Sequence, residues 1–289
     1  MESSEMTGTL FIVGTPIGNL GDMSPRAVET LQNADLIAAE DTRPAAMLLE
    51  KFGITGAKIL PNHKFNEGNA AYGFVQDLLQ GKTIALVTDA GMPCVSDPGY
   101  LLVEAAVAEG VPVTAVPGPC AAVTAVAVSG FNALSFAFYG FLPRTAGDIR
   151  KVLRRVEKEY SPLSVFYESP NRITDTVELV GEVLPDFRVC VCNDLTKKFE
   201  RIYRGTPEQV LEQLKSNPNA SKGEYVLLLE RSKTEQKEDT AKLSPEALLV
   251  DRMVKDGVSA KEAVALLTAE KVLPKRELYD AALRLRELL

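Results

Sequence analysis

The stretch from Gly8 to Asp22, "GTLFIVGTPIGNLGD", decides how the rest of the chain is read. Four apolar residues, Leu10 to Val13, run directly into a loop of Gly14, Thr15, Pro16, Ile17 and Gly18. An unbroken apolar run suits a strand covered on both faces, as parallel sheets require. Glycine permits close backbone approach and proline stiffens the loop. Two later stretches repeat the design, "TDAGMPCVSDPG" at 88–99 and "VPGPCAAVTAV" at 116–126. Loops leaving the carboxyl ends of parallel strands gather at one edge, where ligands bind. Three of them imply a pocket made largely of main chain. Neither G-x-G-x-x-G after the first strand nor G-x-x-x-x-G-K-[ST] is present. The prolines also remove N–H groups that a pyrophosphate would use. A cofactor with a zwitterionic amino-acid end and an adenosine end fits better.

Working outward, strand-like and helix-like segments alternate, which implies an α/β layer with a mainly parallel sheet. Expected strands are 9–13, 35–38, 58–60, 83–88 and 112–115, with helices near 24–33, 44–52, 69–80, 99–109 and 120–128. Beyond "SGFNALSFAFYGFLPR" helices thin out, and strands at 135–141, 163–167, 188–194, 199–204 and 225–230 imply a mixed sheet. Two αβα domains are therefore expected, at 7–120 and 121–230. The polar run at 231–242 reads as a linker, and 243–289 as three short helices resembling a helix-turn-helix module. Small polar residues followed by proline, at Ser24, Asp97, Ser169, Thr206 and Ser244, are expected N-caps. Ser259 with Glu262 forms a capping box.

The chain has 289 residues, 46% hydrophobic and 25% charged, with net charge −7. No apolar run is long enough to span a bilayer, and "MESSEMTG" lacks the features of a secretory signal. The acidic balance argues against general nucleic-acid coating, and neither DNA nor a membrane is expected as a partner. His63 is the only histidine, which disfavours a Ser-His-Asp hydrolase and a His-rich metal site; no metal is expected. Cys94, Cys120, Cys190 and Cys192 read as free thiols of a cytoplasmic protein.

The segments "IVGTPIGNLGDMSPRA", "ADLIAAEDTR", "ALVTDAGMPCVSDPG", "VPGPCAAVTAVAVSG", "FYGFLPR", "VFYESPNR", "LTKKFE" and "KGEYVLLLE" occur in that order. Together they resemble the ribosomal RNA small subunit methyltransferase I group of the tetrapyrrole methylase (class III) superfamily, over about residues 7–230. The tail from Gly257 is similar to that group's C-terminal helical domain. Met92 stands where the group commonly has threonine, and Asn193-Asp194 where Arg-Glu is usual. The resemblance implies S-adenosyl-L-methionine as methyl donor and 2′-O-methylation of a cytidine ribose in the 16S rRNA decoding centre. It also implies a homodimer acting on the small ribosomal subunit. Other acceptors on the same fold, a tetrapyrrole or another small metabolite, are the nearest alternative, and a non-catalytic ribosome-assembly binder is the second.

By the same resemblance, cofactor contacts fall on Pro16, Gly18, Asp89, Ala90, Gly91, Met92, Pro93, Ala121, Ala122 and Thr124. Tyr167, Gly223 and Glu224 would contribute from the second domain. A ribose 2′-hydroxyl is a poor nucleophile near neutral pH, so a base or a stabilising cation is expected. Glu40, Asp41 and Glu168 are the catalytic candidates. Asp41 could equally cap a helix, and Glu168 could equally pair with Arg172, four residues on. Phosphate contacts are expected from Arg43, from the cluster Arg144, Arg150, Lys151, Arg154 and Arg155, and from Lys197 and Lys198, unless these are solvated faces. His63, Asn66 and Glu67 form a polar loop that either faces substrate or is locally satisfied.

Overall fold

The computed structural model describes residues 7–64, 67–158, 161–231, 244–270 and 272–288. Met1–Ser232 and Lys233–Leu289 form two separate compact units. In the first unit, β1 (Leu10–Val13), β2 (Leu36–Ala39), β3 (Lys58–Pro61), β4 (Ile84–Val87) and β5 (Val113–Val116) build an all-parallel sheet in the order β3-β2-β4-β1-β5. The helices α1 (Pro25–Asn33) and α2 (Thr42–Lys51) cover one face, and α3 (Glu67–Leu79) and α4 (Tyr100–Ala108) the other. Alternation along β4 shows why the strands are apolar throughout. Ile84 and Leu86 pack under α3 and α4, whereas Ala85 and Val87 pack under α1 and α2. Each fully buried leucine, such as Leu31 or Leu102, contributes about 1.5–3 kcal/mol of transfer free energy.

The strand order has a direct consequence for the Gly/Pro loops. β4, β1 and β5 are neighbours, so the loops at 88–99, 14–19 and 117–120 emerge side by side. Thr15 and Gly91 form an antiparallel bridge between two of them.

The second sheet, order β6-β7-β10-β8-β9, is mixed: only β6 (Ala137–Phe141) and β7 (Leu163–Glu168) run parallel. β8 (Phe187–Asn193), β9 (Arg201–Gly205) and β10 (Tyr225–Arg231) complete it. α5 (Ala121–Ser129) covers one face through Ala122, Ala125 and Val126. α6 (Ala146–Lys158), α7 (Ile173–Val183) and α8 (Pro207–Lys215) cover the other. Arg231 ends β10, and the rest of the expected linker lies outside the described residues. In the second unit, α9 (Pro245–Asp256), α10 (Ala260–Ala269) and α11 (Lys275–Leu288) pack around Leu249, Ala263, Leu267 and Leu278. Its capping box is present, with Ser259 accepting from the Glu262 N–H at 3.4 Å and donating from its own backbone N–H to the Glu262 carboxylate at 2.8 Å.

Ser24, Thr206 and Ser244 are N-caps ahead of proline, as expected. Asp97 and Ser169 are not. α7 starts only at Ile173, because Pro170 opens a turn closed by Arg172 and Ile173 N–H groups donating to the Ser169 carbonyl. α4 starts after Gly99, which holds φ 130° and has no side chain to cap the helix. Its free N–H groups are met from another helix: the buried Glu67 carboxylate accepts from Gly99 N–H at 2.7 Å and Leu101 N–H at 2.9 Å. Glu67 is thus locally satisfied, and Asn66 lies outside the described residues.

Candidate active site

Where the three adjacent loops meet the second sheet there is a cavity of about 480 Å³. That lies within the range of about 300–1,000 Å³ usual for small-ligand sites. Glu40 reaches it from the end of β2, and Asp89, Ala90, Gly91, Met92, Val95 and Asp97 from the loop after β4. Cys120 and Ala121 enter at the start of α5. Phe141, Tyr167, Glu168, Leu195, Gly223 and Glu224 line it from the second sheet and its loops.

Part of the wall is main chain with no space to spare. A Cβ on Gly118 would lie 2.8 Å from the Gly14 Cα, so these two loops touch backbone to backbone. Gly91 holds φ 87° and Gly223 φ 89°, conformations that favour glycine. Cys94 and Ser96 adopt φ 68° and 69° without that excuse. Local strain of this kind persists only where surrounding structure enforces it, and it clusters at functional sites.

Five carboxylates line the cavity, three of them, Glu40, Asp89 and Asp97, on the side of the first sheet. Glu40 accepts the Thr88 hydroxyl at 2.6 Å, and Asp89 accepts the Asp41 N–H at 3.2 Å. Half-buried Asp97 has no hydrogen bond or ion pair with another described residue. Burial, and then the charges of Glu40 and Asp89, push Asp97 up to about 6. The same causes, burial first and then Glu40, raise Asp89. Burial, with Cys120 beside it, raises the Tyr167 phenol to about 12, so it stays protonated. Such a site suits a molecule carrying positive charge at one end and an apolar ring at another. A sulfonium nucleoside with an amino-acid tail has that chemistry, and glycine and alanine leave it room.

Of the residues expected from the sequence, Glu40, Asp89, Ala90, Gly91, Met92, Ala121, Tyr167, Glu168, Gly223 and Glu224 are brought together here. Others are not. Pro16 and Gly18 line a second cavity of about 430 Å³ against α2, which shares Asp89. The Thr15–Gly91 bridge fixes the parity of that loop, so Ile17 faces the main cavity and its neighbours face away. Pro93 and Ala122 are buried behind the wall, and Thr124 lies one turn into α5. Asp41 caps α2, accepting Arg43 N–H at 2.9 Å and the Arg43 guanidinium at 2.6 Å. Those hydrogen bonds hold Asp41 down at about 2 and raise Arg43.

Glu168 is buried and committed. It accepts Ser169 N–H at 2.6 Å and the Thr176 hydroxyl at 2.9 Å, and it pairs with Arg172. Lys197 bonds Asp194 and Glu224, each at 2.9 Å, at the cavity edge. Burial opposes its charge, but those carboxylates raise its pKa overall. Lys198 lies over the exposed Phe199 ring. The basic residues of α6 do not reach the cavity, because α6 covers the sheet face opposite α5. Arg150 pairs there with Glu182, and Lys151 with Asp148. Arg144, in the turn before α6, is exposed.

Asp97 lines the cavity but was not among the residues expected there, since Asp-Pro before a helix resembles a cap. Cys120 and Phe141 were also missed. Cys190 and Cys192 are buried free thiols 3.9 Å apart, packed behind the cavity wall but not lining it.

Residues 9–211 match the family model for tetrapyrrole (corrin/porphyrin) methylases. The ribosomal RNA small subunit methyltransferase I of Halalkalibacterium halodurans is 40% identical over 275 residues, covering 94% of each chain. That of Escherichia coli O157:H7 is 41% identical over 277 residues, covering 96% of this chain and 95% of its own. Among solved structures, uroporphyrin-III-C-methyltransferase from Thermus thermophilus aligns with TM-score 0.53 at 16% identity, covering 78% of this chain and 94% of that one. At that identity it speaks for the fold alone. Cavity, fold and relatives agree: the chain belongs to the tetrapyrrole methylase family, in its ribosomal RNA small subunit methyltransferase I group, and is an S-adenosylmethionine-dependent methyltransferase.

Proposed function

We propose that this protein methylates the 2′-hydroxyl of a cytidine ribose in the decoding centre of 16S rRNA, within the small ribosomal subunit, as a cytoplasmic homodimer. The near full-length identity to enzymes named for small-subunit rRNA supports the substrate class. The observation that carries the chemistry is the convergence of Glu40, Asp89 and Asp97 on one cavity. Bound S-adenosylmethionine supplies an electrophilic methyl group on a sulfonium. Transfer to an alcohol then demands alignment, exclusion of water and removal of one proton.

The chain's own residues divide these tasks. Gly14, Gly91 and Gly118 hold the cofactor loops in close contact, with Ala90, Met92 and Ala121 shaping the wall and Tyr167, Gly223 and Glu224 closing it from the second sheet. Asp89 and Glu40 offer negative charge to a cationic ligand. Asp97 is the proton acceptor, since a carboxyl raised to about 6, with no hydrogen-bond or ion-pair partner among the described residues, can take a proton from the 2′-hydroxyl and release it to solvent. Glu168 positions β7 and the following turn through Arg172. Lys197, Lys198, Arg43 and Arg144 supply phosphate contacts around the mouth.

The test is transfer of a labelled methyl group to small ribosomal subunits and to naked 16S rRNA, followed by nucleoside analysis. Label in 2′-O-methylcytidine is expected. Label on a base atom, or none, refutes the reading.

A further inference from the structure

The edge strand β6 carries an irregularity that the catalytic reading leaves unused. Tyr139 stacks on Phe166, ring centroids 4.9 Å apart, in the core beneath α6. Side chains alternate along a strand, so Phe141 would follow Tyr139 to that face. Instead the register with β7 shifts between Phe138 and Phe141 and Gly140 takes φ 68°, the signature of a β-bulge. Leu142 now occupies the α6 side, buried, and Phe141 turns to the cavity. There it meets Tyr167 edge-on at 5.5 Å, and Tyr167 is braced by Phe138 at 4.9 Å. The backbone just beyond is clamped, because Arg172 donates to the Pro143 carbonyl at 2.6 Å while paired with buried Glu168. The Phe141 ring is therefore braced on one side by Tyr167, yet the residue is 62% exposed. An aromatic ring left in water gains little for folding, so a bulge that aims one at a cavity mouth implies a ligand.

We propose that Phe141 is the platform on which the nucleobase of the acceptor nucleotide stacks while its ribose enters the cavity. This rests on the reading of the acceptor as RNA. A nucleotide must leave its stack for its ribose to reach an enclosed donor, and an aromatic side chain replaces the lost stacking. The base is favoured over the cofactor's own adenine because Phe141 is at the solvent-facing rim, whereas Gly91 and Ala121 form the close wall.

The experiment measures kcat and KM for small ribosomal subunits, and cofactor Kd by calorimetry, for the wild type and for Phe141→Ala, Phe141→Leu and Phe141→Trp. Loss of one stacked base should raise KM roughly 5- to 100-fold in Phe141→Ala, with cofactor Kd unchanged. Phe141→Leu, apolar but without a ring, should fail like alanine, and Phe141→Trp should restore KM. An unchanged KM in Phe141→Ala, recovery by leucine, or weakened cofactor binding instead would overturn the proposal. A wild type that places no label on RNA removes the acceptor reading itself. A wild type that labels RNA while Phe141→Ala is indifferent removes only the platform.

Discussion

Asp97→Asn should make the protein more stable at pH 8 and leave it unchanged near pH 4, while methyl transfer falls. Burial and the neighbouring Glu40 and Asp89 charges lift the Asp97 carboxyl from 3.8 to about 6. The native state then holds this proton more tightly than the unfolded chain does, so ionising it costs stability. That cost is absent below the unfolded value, grows as pH rises through the window up to about 6, and is complete above it. Carried through in full, the shift corresponds to about 3 kcal/mol. Asp97 is only half-buried, and screening by solvent reduces this to about 1 kcal/mol. Asparagine has the same shape without the charge, so at pH 8 the variant should melt roughly 2–4 °C higher. Loss of the proton acceptor should lower kcat by roughly 100-fold or more. Denaturant unfolding of both proteins across pH 4–8, beside a methyl-transfer assay, reads both effects. An equal gain at both ends of the pH range, or a loss at pH 8, would refute the assignment of a strained carboxylate.

Three further outcomes follow from the packing. Gly118→Ala drives a Cβ to 2.8 Å from the Gly14 backbone. It should cost about 1–3 kcal/mol and abolish cofactor heat in calorimetry; normal binding would separate those loops from the site. Arg172→Ala strips the cation from the fully buried Glu168 side chain and should destabilise by about 3 kcal/mol in chemical denaturation. Adding Glu168→Gln should recover part of that loss, and no recovery would exclude an unpaired charge as the cause. Ser259→Ala removes a capping-box hydroxyl and should cost about 1 kcal/mol, seen as faster amide exchange in α10 with the first unit unaffected.

The sheets were legible because the central strands are apolar runs that two covered faces require, and all ten strands appear near their expected positions. The loops were legible for a related reason, since glycine and proline at strand ends leave few structural options. What the sequence concealed was non-local. Asp97 read as a cap because nothing nearby reveals that Glu67, thirty-two residues before Gly99, takes that duty. Pro16 and Gly18 face the second cavity, which the sequence did not reveal, because one bridge, Thr15 with Gly91, sets which loop residues face inward. The basic run of α6 showed its charge but not its side of the sheet. Phe141 was invisible as a site residue because only a glycine in a strand hinted at a register change.

That glycine has an evolutionary implication. A β-branched residue in place of Gly140 would disfavour the φ of 68° that makes the bulge, and a strand straightened without loss of a residue would carry Phe141 to the Tyr139 side, beneath α6, with no residue of the cavity lining replaced. A scaffold built this way can gain or lose an aromatic contact at its entrance through the conformation of one backbone position. Enzymes of one architecture could in this way diverge in the acceptors they admit while their methyl-donor pockets stay the same.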